Sequence, residues 1–373
     1  MDFTFSQEQE ILRDSARRFI EKECSLDTIK QFVDNRSSLT EEMWQKISEL
    51  GWTAVLIPEE YGGLALGFVE LAVILEEMGR GPMPGPFISS VVLAGEAIRL
   101  AGSPRQKETY LTKMATGELK GTLAWAEPGD LNSLWNVTTS AHNTGESYTL
   151  NGTKIFVPHA DMADFIICVA KTQEGTALFL VEKEDPGVEI NSLPTMDRTM
   201  NLCEIVFNDV QVPKNALLGE VGAAAPVLGQ ILNKVNVAYA MDMAGGGRRV
   251  LDMGVEYAKT RVQFGQAIGS FQAIKHTCAE LLMEVECSRS IVYYAAWAQE
   301  QEEKAATLNA SVAKTFSSDM YGKVTKEVLQ ILGGIGFSWE HELHIYLKRA
   351  KCLGTLFGDA VFHRERVARE LGY

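Results

Sequence analysis

The sequence predicts an α+β chain in three parts: helices, then a compact all-β region, then a C-terminal four-helix bundle. Apolar residues recur at helical spacing up to about residue 119. Short runs rich in β-branched and aromatic residues, bounded by Gly, Asn, Asp and Pro, fill roughly 121–219. Helical spacing resumes near 225, in segments longer than average. With 373 residues the chain has length for two or three domains, and these changes of texture put the boundaries at 1–119, 120–224 and 225–373.

In the first part, Ser6 is expected to cap a helix whose apolar face carries Ile11, Leu12, Ala16, Phe19 and Ile20. Ser38 followed by Glu41 fits a capping box before Met43, Trp44, Ile47 and Leu50. The loop IPEEYGG (57–63) leads to a helix through Val69, Ala72, Val73, Leu75 and Met78. GRGPMPGPF (79–87), with three prolines in nine residues, must break that helix. One more helix ends at the Gly102-Ser103-Pro104 turn. The middle part reads as strands in SYTLNGTKIFV, DFIICVAK, TALFLVEK, VEINSL and EIVFNDVQV. Asn151-Gly152 predicts a tight hairpin, because type I′ turns need positive φ at both central residues. In the last part helices are expected over 226–261, 271–302, 305–332 and 340–357. The second is apolar round much of its circumference, which suits a bundle interior or a subunit interface.

Apolar residues make up 46% and charged residues 23%, as in soluble globular chains, so wholesale disorder is excluded. No apolar run approaches the ~20 residues of a membrane helix. The N-terminus MDFTFSQEQE lacks the basic and apolar regions of a secretory signal, so a cytoplasmic protein is expected. With 49 acidic against 35 basic residues the net charge is −14, which disfavours nucleic acid and anionic membrane as partners. The six cysteines are dispersed, without a CxxC pair, and read as small buried hydrophobes. His341 and His344 stand at i and i+3, not at the i, i+4 spacing of a zinc helix, so no metal site is expected.

Chemically suggestive features are few. Arg261-Val262-Gln263-Phe264-Gly265 could anchor a diphosphate beside a flat ring, or could be an ordinary helix C-cap with Gly at the stop. Gln330-Ile331-Leu332-Gly333-Gly334-Ile335-Gly336-Phe337 could let a ligand approach the backbone, or could be a tight turn between helices. It is no Rossmann fingerprint, since no strand precedes it. Gly245-Gly246-Gly247 inside a helix costs about 1 kcal/mol per Gly relative to Ala, which calls for close packing or a ligand.

Together these segments resemble the acyl-CoA dehydrogenase family over nearly the whole chain. YAKTRVQFGQAIGSFQAIKH (257–276) and LQILGGIGF (329–337) carry the resemblance. IPEEYGG, AEPG (126–129), NGTKIFV (151–157), the VP at 212–213 and RAKCLGTLFGDAVFHRERVARE (349–370) support it. It implies an N-terminal helical domain, a middle β-barrel and a C-terminal four-helix bundle. It also implies FAD, an acyl-CoA substrate, a tetramer, and an electron acceptor such as an electron-transfer flavoprotein. In that family the flavin lies between subunits, and the residues matching its adenine and diphosphate end are Arg261, Phe264, Gln272, Gln330, Gly333 and Gly334.

Other positions depart from the family's pattern. TEPGAGSD has become Ala126-Glu127-Pro128-Gly129-Asp130, and W-[IV]-[ST] has become Phe156-Val157-Pro158, so hydroxyls and a backbone donor are missing at the flavin ring. The usual base glutamate is Phe357, before Gly358. The alternative base position is Val235, and the CoA-contacting Asp and Arg are Asn233 and Asn236. A phenyl or isopropyl group cannot accept a proton. The sequence therefore points to a subunit that completes the FAD site of a paralogous catalytic partner, in a hetero-oligomer of the kind that suits bulky or ring-bearing acyl groups. The alternatives are a self-sufficient dehydrogenase whose base is Asp359 or Asp242, and a non-enzymatic scaffold of the same fold.

Overall fold

The computed structural model describes residues 4–35, 41–129, 131, 136–301 and 305–373. Helices α1 (Gln7–Glu23), α2 (Leu26–Asn35), α3 (Glu41–Glu49) and α4 (Phe68–Arg80) come first. A π-helical stretch, Ile88–Ala94, then runs into α5 (Gly95–Ala101), and α6 (Pro104–Ala115) follows. Strands β1 (Gly121–Ala124), β2 (Ser140–Asn143), β3 (Ser147–Pro158), β4 (Phe165–Thr172), β5 (Gly175–Glu182), β6 (Val188–Ser192), β7 (Leu202–Pro213) and β8 (Leu217–Leu218) come next. The chain closes with α7 (Ala224–Thr260), the short strands β9 (Val262–Gln263) and β10 (Gln266–Ala267), α8 (Gln272–Glu300), α9 (Ala306–Leu332), α10 (Leu343–Thr355) and α11 (Ala360–Glu370). The order helices, sheet, helices is the expected one. Ser6 caps α1 through a reciprocal box with Gln9, and α4 stops at Arg80 before the prolines. The expected Ser38 box lies outside the described residues.

Two compact units are distinguished, one of 1–35, 68–83 and 236–373, the other of 36–67 and 84–235. In the first, α9 packs against α8, α10 and α11, and α4 against α1 and α8. The glycine triplet of α7 is explained here by close packing. A Cβ on Gly245 would lie 1.9 Å from the Glu76 carbonyl oxygen, one on Gly246 would lie 2.5 Å from the Tyr321 hydroxyl, and one on Gly247 would lie 2.7 Å from the Met320 sulfur. Beside this crossing Glu76 accepts from Arg289 Nε (2.6 Å) and from the Tyr293 hydroxyl (2.7 Å).

The second unit centres on an eight-stranded sheet ordered β6-β7-β3-β2-β4-β5-β8, with β1 parallel to β4. Phe165 to Ala170 of β4 are buried on both faces, as their unbroken apolar run requires. Asn151-Gly152 is not a hairpin turn; both residues lie inside β3. The Asn151 side chain donates through Nδ2 to Asp209 Oδ1 and accepts through Oδ1 from Asp209 N, each at 2.9 Å. Gly152, at φ 151°, sits at a register shift where a Cβ would come 2.6 Å from the Thr139 hydroxyl. Long-range pairing with β7 turned a turn signal into a bulge.

Two further expectations change. The last expected helix, 340–357, is α10, which ends at Thr355; a further helix that the sequence reading did not include, α11, starts after a loop in which Phe357 (φ 59°) and Gly358 (φ 104°) take the left-handed region. The cysteines are not uniformly buried: Cys24, Cys168 and Cys203 are, with thiols pushed up by burial, whereas Cys278 and Cys352 are half-buried and Cys287 is exposed.

Candidate functional site

The segment after α7 is a two-residue hairpin rather than a helix cap. Gln263 pairs with Gln266, Ile268 N donates to the Arg261 carbonyl (2.8 Å), and Phe264 and Gly265 turn the chain at φ 52° and 79°. A left-handed phenylalanine costs about 1–2 kcal/mol; its ring is 92% exposed and meets Phe271 edge-on, centroids 6.2 Å apart. Arg261 and Gln272, at the hairpin's two ends, are also exposed. The pairing of Gln263 with Gln266 holds Phe264 in this turn and leaves its ring open to solvent.

The second glycine segment is the tight turn its ordinary reading expects, a 3₁₀ turn over Gly333–Phe337. Gly333 closes α9 at φ 62°, ψ −136°, a conformation that favours glycine. Added Cβ atoms at Gly333 and Gly334 would meet nothing within 4 Å, so no internal packing explains the pair. Gln330, one turn earlier, is exposed. The contacts of α7 with α9 step forward along both helices, from Gly246 on Tyr321 to Gly254 on Val328. The two helices are therefore parallel, and the structure brings the Arg261 hairpin and the Gly333 turn to the same end of the bundle.

The loop between α10 and α11 carries Phe357, half-buried, its ring stacked on Tyr239 of α7 with centroids 5.8 Å apart and planes at 22°. Asp359 is the N-cap of α11: its Oδ1 accepts from Phe362 N at 2.8 Å. Asp242 is 1% exposed and bound in fork fashion to Arg349, Nε to Oδ1 at 2.9 Å and Nη2 to Oδ2 at 2.6 Å. A buried carboxylate whose two oxygens both bind a guanidinium is held in its ionised form and facing that partner, which disfavours Asp242 as the base.

Behind this loop lie two groups that sequence reasoning missed. Lys314 of α9 is fully buried and donates to the carbonyls of Leu353 and Leu356, the latter at 2.9 Å. His363 of α11, also fully buried, has Nε2 3.1 Å from the Phe357 carbonyl oxygen, so that nitrogen carries the proton. Burial lowers the Lys314 amine to about 7 and the His363 imidazole to about 3, the latter helped by the nearby Lys314 charge. A signal existed: Lys314 falls in helical register with Ala310, Ser317 and Tyr321, all buried.

In the sheet unit, Lys154 and Glu127 form a buried ion pair at 2.7 Å. Glu127 also accepts from Thr138 N (2.6 Å) and Thr139 N (2.9 Å), while Lys154 donates to the Trp125 carbonyl (3.2 Å). Despite its burial, the lysine and these donors hold the Glu127 carboxyl down at about 2. The pair fixes Ala126 beside the strand bearing Phe156, where Ile155 N donates to the Ala126 carbonyl (2.9 Å). Phe156 is left-handed at φ 53° and 36% exposed. Pro158 offers only its carbonyl, which is taken by the Thr122 hydroxyl (2.7 Å). Asn233 and Val235, in the same unit, are buried.

Domain models of the acyl-CoA dehydrogenase family match in chain order: the N-terminal domain over 6–118, the middle domain over 122–210 and the C-terminal domain over 226–372. The chain belongs to the acyl-CoA dehydrogenase family. It is 30% identical to a probable acyl-CoA dehydrogenase, YngJ, of Bacillus subtilis, over the full length of both proteins. Butyryl-CoA dehydrogenase from Megasphaera elsdenii superposes with a TM-score of 0.94 at 28% identity, covering all of both chains. A chain of the ChsE4-ChsE5 complex from Mycobacterium tuberculosis superposes with a TM-score of 0.90 at 28% identity, covering 100% of this chain and 99% of that one. FAD is the cofactor of the family. No described helix is long and apolar enough to cross a membrane.

Proposed function

We propose that this chain is the incomplete half of a hetero-oligomeric acyl-CoA dehydrogenase, acting in the cytoplasm as three domains, 1–119, 120–224 and 225–373. Its Arg261, Phe264, Gln272, Gln330, Gly333 and Gly334 hold the adenine and diphosphate end of an FAD whose ring is held mainly by a paralogous, catalytically complete subunit. That subunit supplies the carboxylate that takes the α-proton of an acyl-CoA thioester. FAD held there would supply the acceptor for the β-hydride, with an electron-transfer flavoprotein as the expected acceptor of its electrons. Two such sites among four chains leave room for a bulky or ring-bearing acyl group.

One observation carries this reading. Phe357 fills the place of the family's base with its ring on Tyr239, while the two neighbouring acids are engaged, Asp359 as a helix cap and Asp242 with Arg349. The fit to FAD is one-sided in the same sense. The exposed Phe264, the exposed Arg261 and the open backbone at Gly333 and Gly334 suit a diphosphate and a flat ring. Ala126 offers no side-chain hydroxyl at the ring end, and Pro158 offers neither a hydroxyl nor a backbone donor. The partner surface has its own support: Leu282 and Met283 of α8 are 42% and 62% exposed. Replacing Arg261 by Ala in the assembled complex removes one charge-assisted contact worth about 1.5–3 kcal/mol, or one to two decades of FAD affinity. Unchanged flavin content and affinity in that variant would refute the shared site.

A further inference from the structure

The loop that presents Phe357 is held by two buried basic groups, Lys314 and His363, besides the Asp359 cap of α11. Lys314 bonds the carbonyls of Leu353 and Leu356, at the end of α10, and His363 bonds that of Phe357. His363 Nδ1 has no partner among the described residues. Gly358 lies so close that a Cβ there would stand 2.9 Å from His363 Nε2. We propose that Lys314 and His363 are positioning residues for the Phe357-Gly358 loop, and that opening of this loop takes up protons.

The sign follows from the burial. In the closed loop both groups have their affinity for protons lowered, Lys314 from 10.5 to about 7 and His363 from 6.5 to about 3. When residues 356–363 swing away, both meet water and regain their ordinary affinities. Opening therefore binds one proton between about pH 7 and 10.5 through Lys314, and one between about 3 and 6.5 through His363. In each window a fall of one pH unit makes opening roughly tenfold easier. The other charges nearby do not reverse this. Cys352 and Asp359 face Lys314 and raise it, and Asp359 and Arg366 face His363 with opposite signs, yet both groups stay lowered. From α7 the facing group is Tyr239, itself beside Cys352, Arg349 and Asp242.

Hydrogen exchange of the peptide covering 356–363, corrected for the intrinsic pH dependence of exchange, tests this on the full-length chain. Because it needs neither FAD nor a partner, its outcome is independent of the shared-flavin proposal. Protection should rise roughly tenfold per unit between pH 7.5 and 9. It should become flat in that range in Lys314→Met and in Lys314→Arg, the latter with a persistently open loop. His363→Gln should keep the slope above pH 7 and lose the slope between pH 4 and 6. Protection of β4, in the other unit, should not change in any variant, which separates loop release from misfolding. A wild-type slope below about 0.3 decades per unit, or a slope that survives in both Lys314 variants, would overturn the proposal.

Discussion

Lys154→Met should expose how much of the sheet unit rests on one ion pair. Lys154 is fully buried, its partner Glu127 is 4% exposed, and the pair is 2.7 Å apart. The Glu127 carboxyl lies at about 2 instead of 4.5, so its ionised form adds about 3 kcal/mol to folding at neutral pH. Removing the lysine leaves that carboxylate buried with only neutral donors, and breaking a buried pair from one side costs about 3–5 kcal/mol. A loss of about 3–4 kcal/mol in urea denaturation at pH 7 is expected. In the double variant with Glu127→Gln the two losses should not add, with a coupling of about 2 kcal/mol. The pH dependence has a definite sign. A depressed carboxyl stabilises the fold fully above pH 4.5 and loses that contribution as pH falls toward about 2. The gap between wild type and Lys154→Met should therefore narrow in acid. A loss under about 1 kcal/mol, or a coupling near zero, would refute the reasoning.

Phe264→Asn relieves a left-handed aromatic, so thermal melting should show a gain of about 1 kcal/mol in stability, while FAD is retained less well by the complex. Phe357→Glu restores a carboxylate but leaves Ala126 and Pro158 without hydroxyls for the flavin ring, so the solitary chain should show no turnover with acyl-CoA and an artificial acceptor. Asp359→Asn should leave turnover of the complex, normalised to bound FAD, within a few-fold of wild type, against the roughly 10²–10⁴-fold loss expected of a true base.

The element order was legible because periodicity and punctuation act locally: the Ser6 box, the proline break after Arg80 and the long C-terminal helices all follow from neighbouring residues. What was misread depended on distant partners. Asn151-Gly152 looked like a turn until Asp209 and Thr139 claimed it for a bulge. The glycine triplet left close packing and a ligand open until Glu76, Met320 and Tyr321 were seen against it. That Phe357 cannot accept a proton was legible from the residue alone. The engagement of Asp242 by Arg349 was not, since 107 positions separate them. Lys314 and His363 were overlooked because composition treats a lysine as surface, although helical register had placed Lys314 among buried residues.

The most direct test counts flavin. The chain should be purified alone and after co-expression with a paralogous subunit that carries glutamate at the position of Phe357 and a TEPGAGSD-type motif, and FAD measured per chain by absorbance. The shared-site account predicts a colourless chain alone and one FAD for each pair of unlike subunits in the complex. Stoichiometric FAD in a homo-oligomer of this chain, with turnover of an acyl-CoA, would contradict it.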